Sequence, residues 1–146
     1  RRLADYYLRS GLDRDAKVQL EKMIADTPND VVSLNNLAWL LAAGDPARAE
    51  TLARRAHSIS PGNAAVADTL GWVLIQAGKA GEARIVLAAA VASQPKDASI
   101  RYHYALALAR AGDRTAARQN LEEALKSGRE FNGRDAAQSL AQELSR

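Results

Sequence analysis

NAAVADTLGWVLIQAGKAGEARIVLAAAVASQPKD, residues 63–97, reads as two short amphipathic helices folded back on each other. In the first, Ala67, Leu70, Gly71 and Leu74 recur three and four residues apart, which places them on one helix face. Gly78 stops that helix, Ala83, Leu87 and Ala90 form the stripe of the second, and Pro95 closes the unit. The same unit recurs on both sides. Pro28, Pro61 and Pro95 are spaced by 33 and 34 residues, and Gly11, Gly44, Gly78 and Gly112 by 33, 34 and 34. Five residues after each of these glycines stands an alanine: Ala16, Ala49, Ala83 and Ala117. Small residues also align in the first helices, at Ala4, Ala38, Gly71 and Ala105. Small side chains there allow paired helices to approach closely. The one-residue deficit falls between Ala38 and Gly44, so the helix or turn at that point is shorter than its counterparts.

The rest of the composition agrees with an all-α chain. Of 146 residues 47% are hydrophobic, enough for one globular unit, while aromatics are only 5% and β-branched runs are missing. The absence of cysteine excludes disulfides and thiolate metal sites without choosing a compartment. A net charge of +3 raises the possibility of an acidic partner, but acidic and basic residues alternate throughout, as in Arg118 to Glu123. That pattern describes a solvated helical surface rather than a nucleic-acid face. No apolar run reaches the roughly 20 residues needed to cross a bilayer, so no direct membrane insertion is expected.

Leu70-Gly71-x-x-Leu74, a glycine seven residues after Gly71, Ala83-x-x-x-Leu87-x-x-Ala90 and then Pro95 resemble one tetratricopeptide repeat, a motif with a period of about 34 residues. The motif's opening Trp is absent, with Ala67 in its place, and Leu replaces its Tyr and Phe. The resemblance implies an all-α, right-handed solenoid of about four helix-turn-helix repeats plus a C-terminal capping helix. The expected division is a truncated repeat over 1–29, repeats over 30–63, 64–97 and 98–131, and a capping helix over 134–146. Leu3, Ala4, Tyr7 and Leu8 form the stripe of a first helix entered partway, so the chain reads as part of a longer array. Self-association through that apolar end is a further expectation. At the other end Ala137, Leu140, Ala141 and Leu144 oppose Gln138, Ser139, Gln142 and Glu143, the polar outer face a terminal helix needs. Phe131 reads as a plug for the turn before it.

No set of residues suggests catalysis, a cofactor or a metal. His57 and His103 lie more than a repeat apart, and neither has a carboxylate or histidine at i+4. Ser and Asp residues fall mostly at helix caps and turns. Function is therefore expected on the concave face lined by the first helices. Equivalent positions there are Asn35, Asp68 and Tyr102, then Asn36, Thr69 and His103, and one turn further Trp39, Trp72 and Leu106, with Arg110 at the far end of its helix. Side-chain amides can bond a peptide backbone, and indoles bury apolar side chains while keeping an N–H available. The expected ligand is a protein or peptide partner. Two readings of Trp39 and Trp72 stay open, groove lining and packing between neighbouring repeats, because each directly follows a small residue. Tyr102 and His103 are equally open, and Asn35 and Asp68 could instead serve as caps or inter-repeat bonds.

Tetratricopeptide domains that grip the C-terminal carboxylate of heat-shock chaperones use lysines, an arginine and asparagines on these inner helices. Here Val32, Ala65, Ser99, Thr69 and His103 occupy comparable sites, so that clamp is not expected. The runs from Asn35 to Gly78 and from Ile100 to Leu125, and the closing segment from Ser127, look like the C-terminal part of bacterial tetratricopeptide proteins of exopolysaccharide export, most similarly those accompanying PEP-CTERM/exosortase systems. That resemblance implies a scaffold in a periplasmic or cell-envelope assembly, with a cytoplasmic setting as the alternative. A structural spacer or cap without its own ligand, and a weak polysaccharide or polyanion binder, are the competing functions.

Overall fold

The computed structural model describes residues 13–146, which form eight α-helices: α1 (Asp13–Asp26), α2 (Val31–Leu41), α3 (Pro46–Ile59), α4 (Ala64–Gln76), α5 (Ala80–Ser93), α6 (Ala98–Arg110), α7 (Arg114–Leu125) and α8 (Arg134–Leu144). The expected first helix through Leu3 and Tyr7, its stop at Gly11 and the self-associating end lie outside the described residues.

Short polar caps start most of these helices. Asp30, Asp45, Asp97 and Asp113 each accept a hydrogen bond from the backbone N–H three residues on, and Asn63 accepts from Ala65 and Val66 N–H. Each thereby satisfies donors that the helix leaves open at its start. Pro46 occupies the first turn of α3, where its missing N–H removes nothing. Helix ends show the effect of the one-residue deficit. After α4 and α6 the chain turns through Gly78 and Gly112 at φ 78° and 94°, and the N–H groups of Lys79 and Asp113 reach back five residues to Leu74 and Leu108. α2 stops two residues earlier relative to its small residue, Gly44 has no positive φ, and Asp45 N–H reaches back only four residues, to Leu41. A single missing residue thus exchanges a left-handed glycine turn for a tighter one while the repeat register is kept.

Successive helices pack antiparallel in pairs, forming a tetratricopeptide-like superhelix. The alanines that recur in the second helices, Ala16, Ala49, Ala83 and Ala117, are all fully buried, as are Ala38, Gly71 and Ala105 opposite them. Leu37, Leu70, Val73, Leu74, Leu87 and Leu121 fill the continuous core between the layers. Among the described residues the substantial contacts between alternate helices join α2 to α4, α4 to α6 and α6 to α8. This set is therefore the tightly stacked, inner one. No helix among the described residues is long and apolar enough to cross a membrane.

The outer helices are joined by long charged side chains instead. Arg48 pairs with Glu21 at 2.9 Å, Lys79 with Glu50 at 2.9 Å, and Arg54 with both Glu50 and Glu82, at 2.8 and 2.6 Å. The Lys79 ammonium, and after it the Arg54 guanidinium, hold the Glu50 carboxyl below the usual carboxylate range, and Glu50 with Glu82 raises Arg54. A depressed carboxyl stabilises the folded chain above its unfolded value of 4.5 and loses that contribution as pH falls through the folded value. The partners are half-exposed, so the effect is small. Glu50→Gln is expected to lower the unfolding free energy by no more than about 1 kcal/mol at pH 7. In urea titrations the gap to the unsubstituted chain should narrow steadily below pH 4.5. A gap that widens with acid would show that the network does not act this way.

Candidate functional site

The inner helices bring Trp39, Trp72 and His103 into one cluster. The two indoles stack with centroids 5.5 Å apart and planes 27° apart, and the imidazole of His103 lies 5.8 Å from Trp39 and 5.0 Å from Trp72. Tyr102 flanks the imidazole on its own helix at 5.4 Å. His103 is 4% exposed, and its Nδ1 stands 2.6 Å from Asp68 Oδ1. Because an ionised carboxylate only accepts, Nδ1–H is the donor, which fixes the tautomer and the ring plane. Both indoles are half-buried. They thus pack between repeats, and Trp39 also contributes a wall to a cavity.

That cavity, of about 260 Å³, is lined by Asn35, Asn36, Trp39, Ala65, Asp68, Thr69, Asp97, Ser99, Ile100 and Asn132. A second, of about 170 Å³, shares Asn35, Asn36 and Ala65 and extends along Val31, Val32, Asn63 and Val66. Together they make a polar groove across the N-terminal ends of α2, α4 and α6. Asn35 Oδ1 is buried without a hydrogen-bond partner among the described residues. An acceptor left in that state costs roughly 1–3 kcal/mol, a cost that a bound donor could remove once the amide turns outward. Thr69 is less available, since it is buried and its hydroxyl donates to Ala65 carbonyl at 3.1 Å.

On α6 the structure places the expected groove residues differently from those on α2 and α4. Tyr102 and Leu106 are 6% and 8% exposed and belong to the core, and Arg110 alone is open to solvent. The reason is α8, which stacks on α6 as the next inner helix. Its leading residue Gly133, at φ 96°, lies so close to Tyr102 that a Cβ there would stand 2.9 Å from two ring carbons. This cover also pushes the Tyr102 phenol above its usual value by removing water from it. Tyr102 accordingly packs against the start of α8 and Leu106 lies in the core, so neither offers surface to a ligand. Two residues of the groove escape sequence reasoning. Asp97 caps α6 and also borders the cavity. Asn132 reaches the groove because its carbonyl accepts the Ser99 hydroxyl at 3.1 Å, after the chain folds back over α6. Nor does the search for partners at i+4 find the Asp68–His103 pair, which forms between repeats.

These observations define a tetratricopeptide-like superhelix of stacked helix-turn-helix pairs. The tetratricopeptide repeat family model matches residues 40–109, from the end of α2 to the end of α6. Among solved structures, a double mutant of MamA from strain RS-1 is 26% identical over 86% of this chain and 71% of its own, with a TM-score of 0.70. MamA residues 41 to the end from Desulfovibrio magneticus RS-1 are 24% identical, covering 99% of this chain and 88% of that one, with a TM-score of 0.73. A thermophilic tetratricopeptide repeat protein of Thermus thermophilus is 22% identical over 94% of this chain and 77% of its own, with a TM-score of 0.77. No curated protein matches.

Proposed function

We propose that this chain is a protein-interaction scaffold that holds an extended segment of a partner in the groove on its inner helices. The observation that carries the reading is the continuity of the two cavities through Asn35, Asn36 and Ala65, with hydrogen-bonding side chains along the floor and the Trp39 indole as a wall. An extended peptide presents alternating N–H and C=O groups that amide side chains can pair with in either sense. The Asp68–His103 bond and the stacked indoles keep the groove wall from collapsing before a ligand arrives, which lowers the ordering cost of binding. The resemblance of the runs from Asn35 and from Ile100 to export-system proteins supports a place in a bacterial envelope assembly for polysaccharide export or protein sorting.

The test uses two arginines on opposite faces. Asn36→Arg fills the groove, whereas Ile85→Arg changes an outer-face residue that is 70% exposed. With circular dichroism unchanged for both, Asn36→Arg should abolish capture of the partner from a cell-envelope extract and Ile85→Arg should leave it intact. Capture that survives Asn36→Arg would remove the groove as the binding site.

A further inference from the structure

We infer that the groove recognises a cationic side chain, a lysine or arginine carried by the bound segment, an inference that rests on the peptide-binding reading above. The chain carries 20 basic residues against 17 acidic ones, yet among the described residues neither cavity is lined by a Lys, Arg or His. Among the described residues the charged ones that line them are Asp68 and Asp97, both on the larger cavity. Basic side chains near the acids of the outer helices are already committed, as Arg48, Arg54 and Lys79 are to Glu21, Glu50 and Glu82. The groove is thus a local negative region on a chain of positive net charge.

The hydrogen-bond inventory gives the same sign. Asp68 uses Oδ1 toward His103, and Asp97 uses Oδ1 to accept Ile100 N–H at 3.0 Å. Each leaves its second oxygen without a protein donor among the described residues. The Nδ1–H of His103 orients the Asp68 carboxylate. Asn35 Oδ1 adds a buried acceptor with no donor. Peptide N–H groups suffice for neutral amides, but two carboxylates facing one small cavity are best matched by a cation with several N–H donors. A metal ion is a poor alternative, since no group of three or more candidate ligands occurs among the described residues. Trp39 supplies the remaining element, an indole lining the same cavity as the carboxylates, a ring type that attracts an ammonium or guanidinium. The larger cavity is sized for one long side chain rather than a folded domain.

Selection of a random octapeptide display library on the folded chain, with the Asn36→Arg variant as counter-selection, tests both levels. The expected result is enrichment of sequences sharing a Lys or Arg at a fixed position. Calorimetry on one enriched peptide should show at least tenfold weaker binding when that residue is replaced by Met. Asp68→Asn and Asp97→Asn should each weaken binding several-fold, and moderate salt should weaken it further. Asn at 68 can still accept from His103, so the cluster is retained, which circular dichroism verifies. Enriched peptides without a fixed basic residue, bound equally by the Asn variants but not by Asn36→Arg, would overturn the cation and leave the peptide groove standing. Basic peptides that bind Asn36→Arg equally well would place them elsewhere on the surface and overturn the inference. No enrichment over the counter-selected variant would overturn both readings.

Discussion

Removal of residues 134–146 is expected to leave the chain less stable and prone to aggregate. α8 buries Ala137 and Leu144 and covers Leu140 and Ala141 in part, and its polar Gln138, Ser139 and Gln142 face solvent. Without it, α6 would present Tyr102, Leu106 and neighbouring apolar surface to water. Each large apolar side chain buried is worth about 1.5–3 kcal/mol, so deleting two leucines and uncovering Tyr102 should cost on the order of 5 kcal/mol. That is comparable with the whole stability of many domains. Arg114, whose guanidinium donates to the Leu144 carbonyl at 3.1 Å, would lose its partner as well. Sedimentation velocity and urea unfolding of the truncated chain, beside the intact one, check the expectation. An unchanged association state and urea midpoint would show that α8 is dispensable and that the fold needs no cap at this end. Restoring solubility by Leu106→Gln in the truncated chain would identify the exposed face as the cause.

The second large effect concerns Gly71, in the middle of α4, where glycine ordinarily costs about 1 kcal/mol relative to alanine. A Cβ at this position would lie under 3.0 Å from Cγ and both methyl carbons of Leu87 on α5. Leu87 is fully buried, so it cannot swing away. Gly71→Ala is therefore expected to destabilise by about 1–3 kcal/mol despite the better helix former. Leu87→Ala alone should cost about 2–5 kcal/mol, because it empties a packed site. The informative measurement is the combination. In the Leu87→Ala background the clash is gone and part of the cavity is filled, so Gly71→Ala should become stabilising by up to about 1 kcal/mol. A sign reversal in urea midpoints is thus the expected signature of direct opposition between these two side chains. Additive effects would mean that the glycine is kept for another reason. The matching positions in the α6–α7 pair are Ala105 and Leu121, both fully buried.

Much of this molecule follows from spacing alone. Prolines, glycines and small residues recurring at 33 and 34 residues specify the order of the helices from α1 to α7, because each repeat uses the same stops and the same close approach. Cap residues such as Asp30, Asp45 and Asp113 are legible because they act on backbone groups three residues away. The polar outer face of 134–146 is legible for the same local reason.

What spacing cannot convey is which neighbour a side chain meets across repeats. Asn35, Asp68 and Tyr102 are equivalent in the sequence, yet Asn35 and Asp68 border an open groove while Tyr102 lies under Gly133. The difference comes from the residue that leads into α8, where a glycine lets the Tyr102 ring lie against the backbone. Likewise the stack of Trp39 on Trp72, the bond from His103 to Asp68 and the placing of Asn132 beside Ser99 join residues about one repeat apart. Periodicity sets the helices and the identity of their inner faces, since both depend on contacts within a few residues along the chain. The shape and the charge of the groove belong to the tertiary structure, because they depend on how one repeat sits against the next.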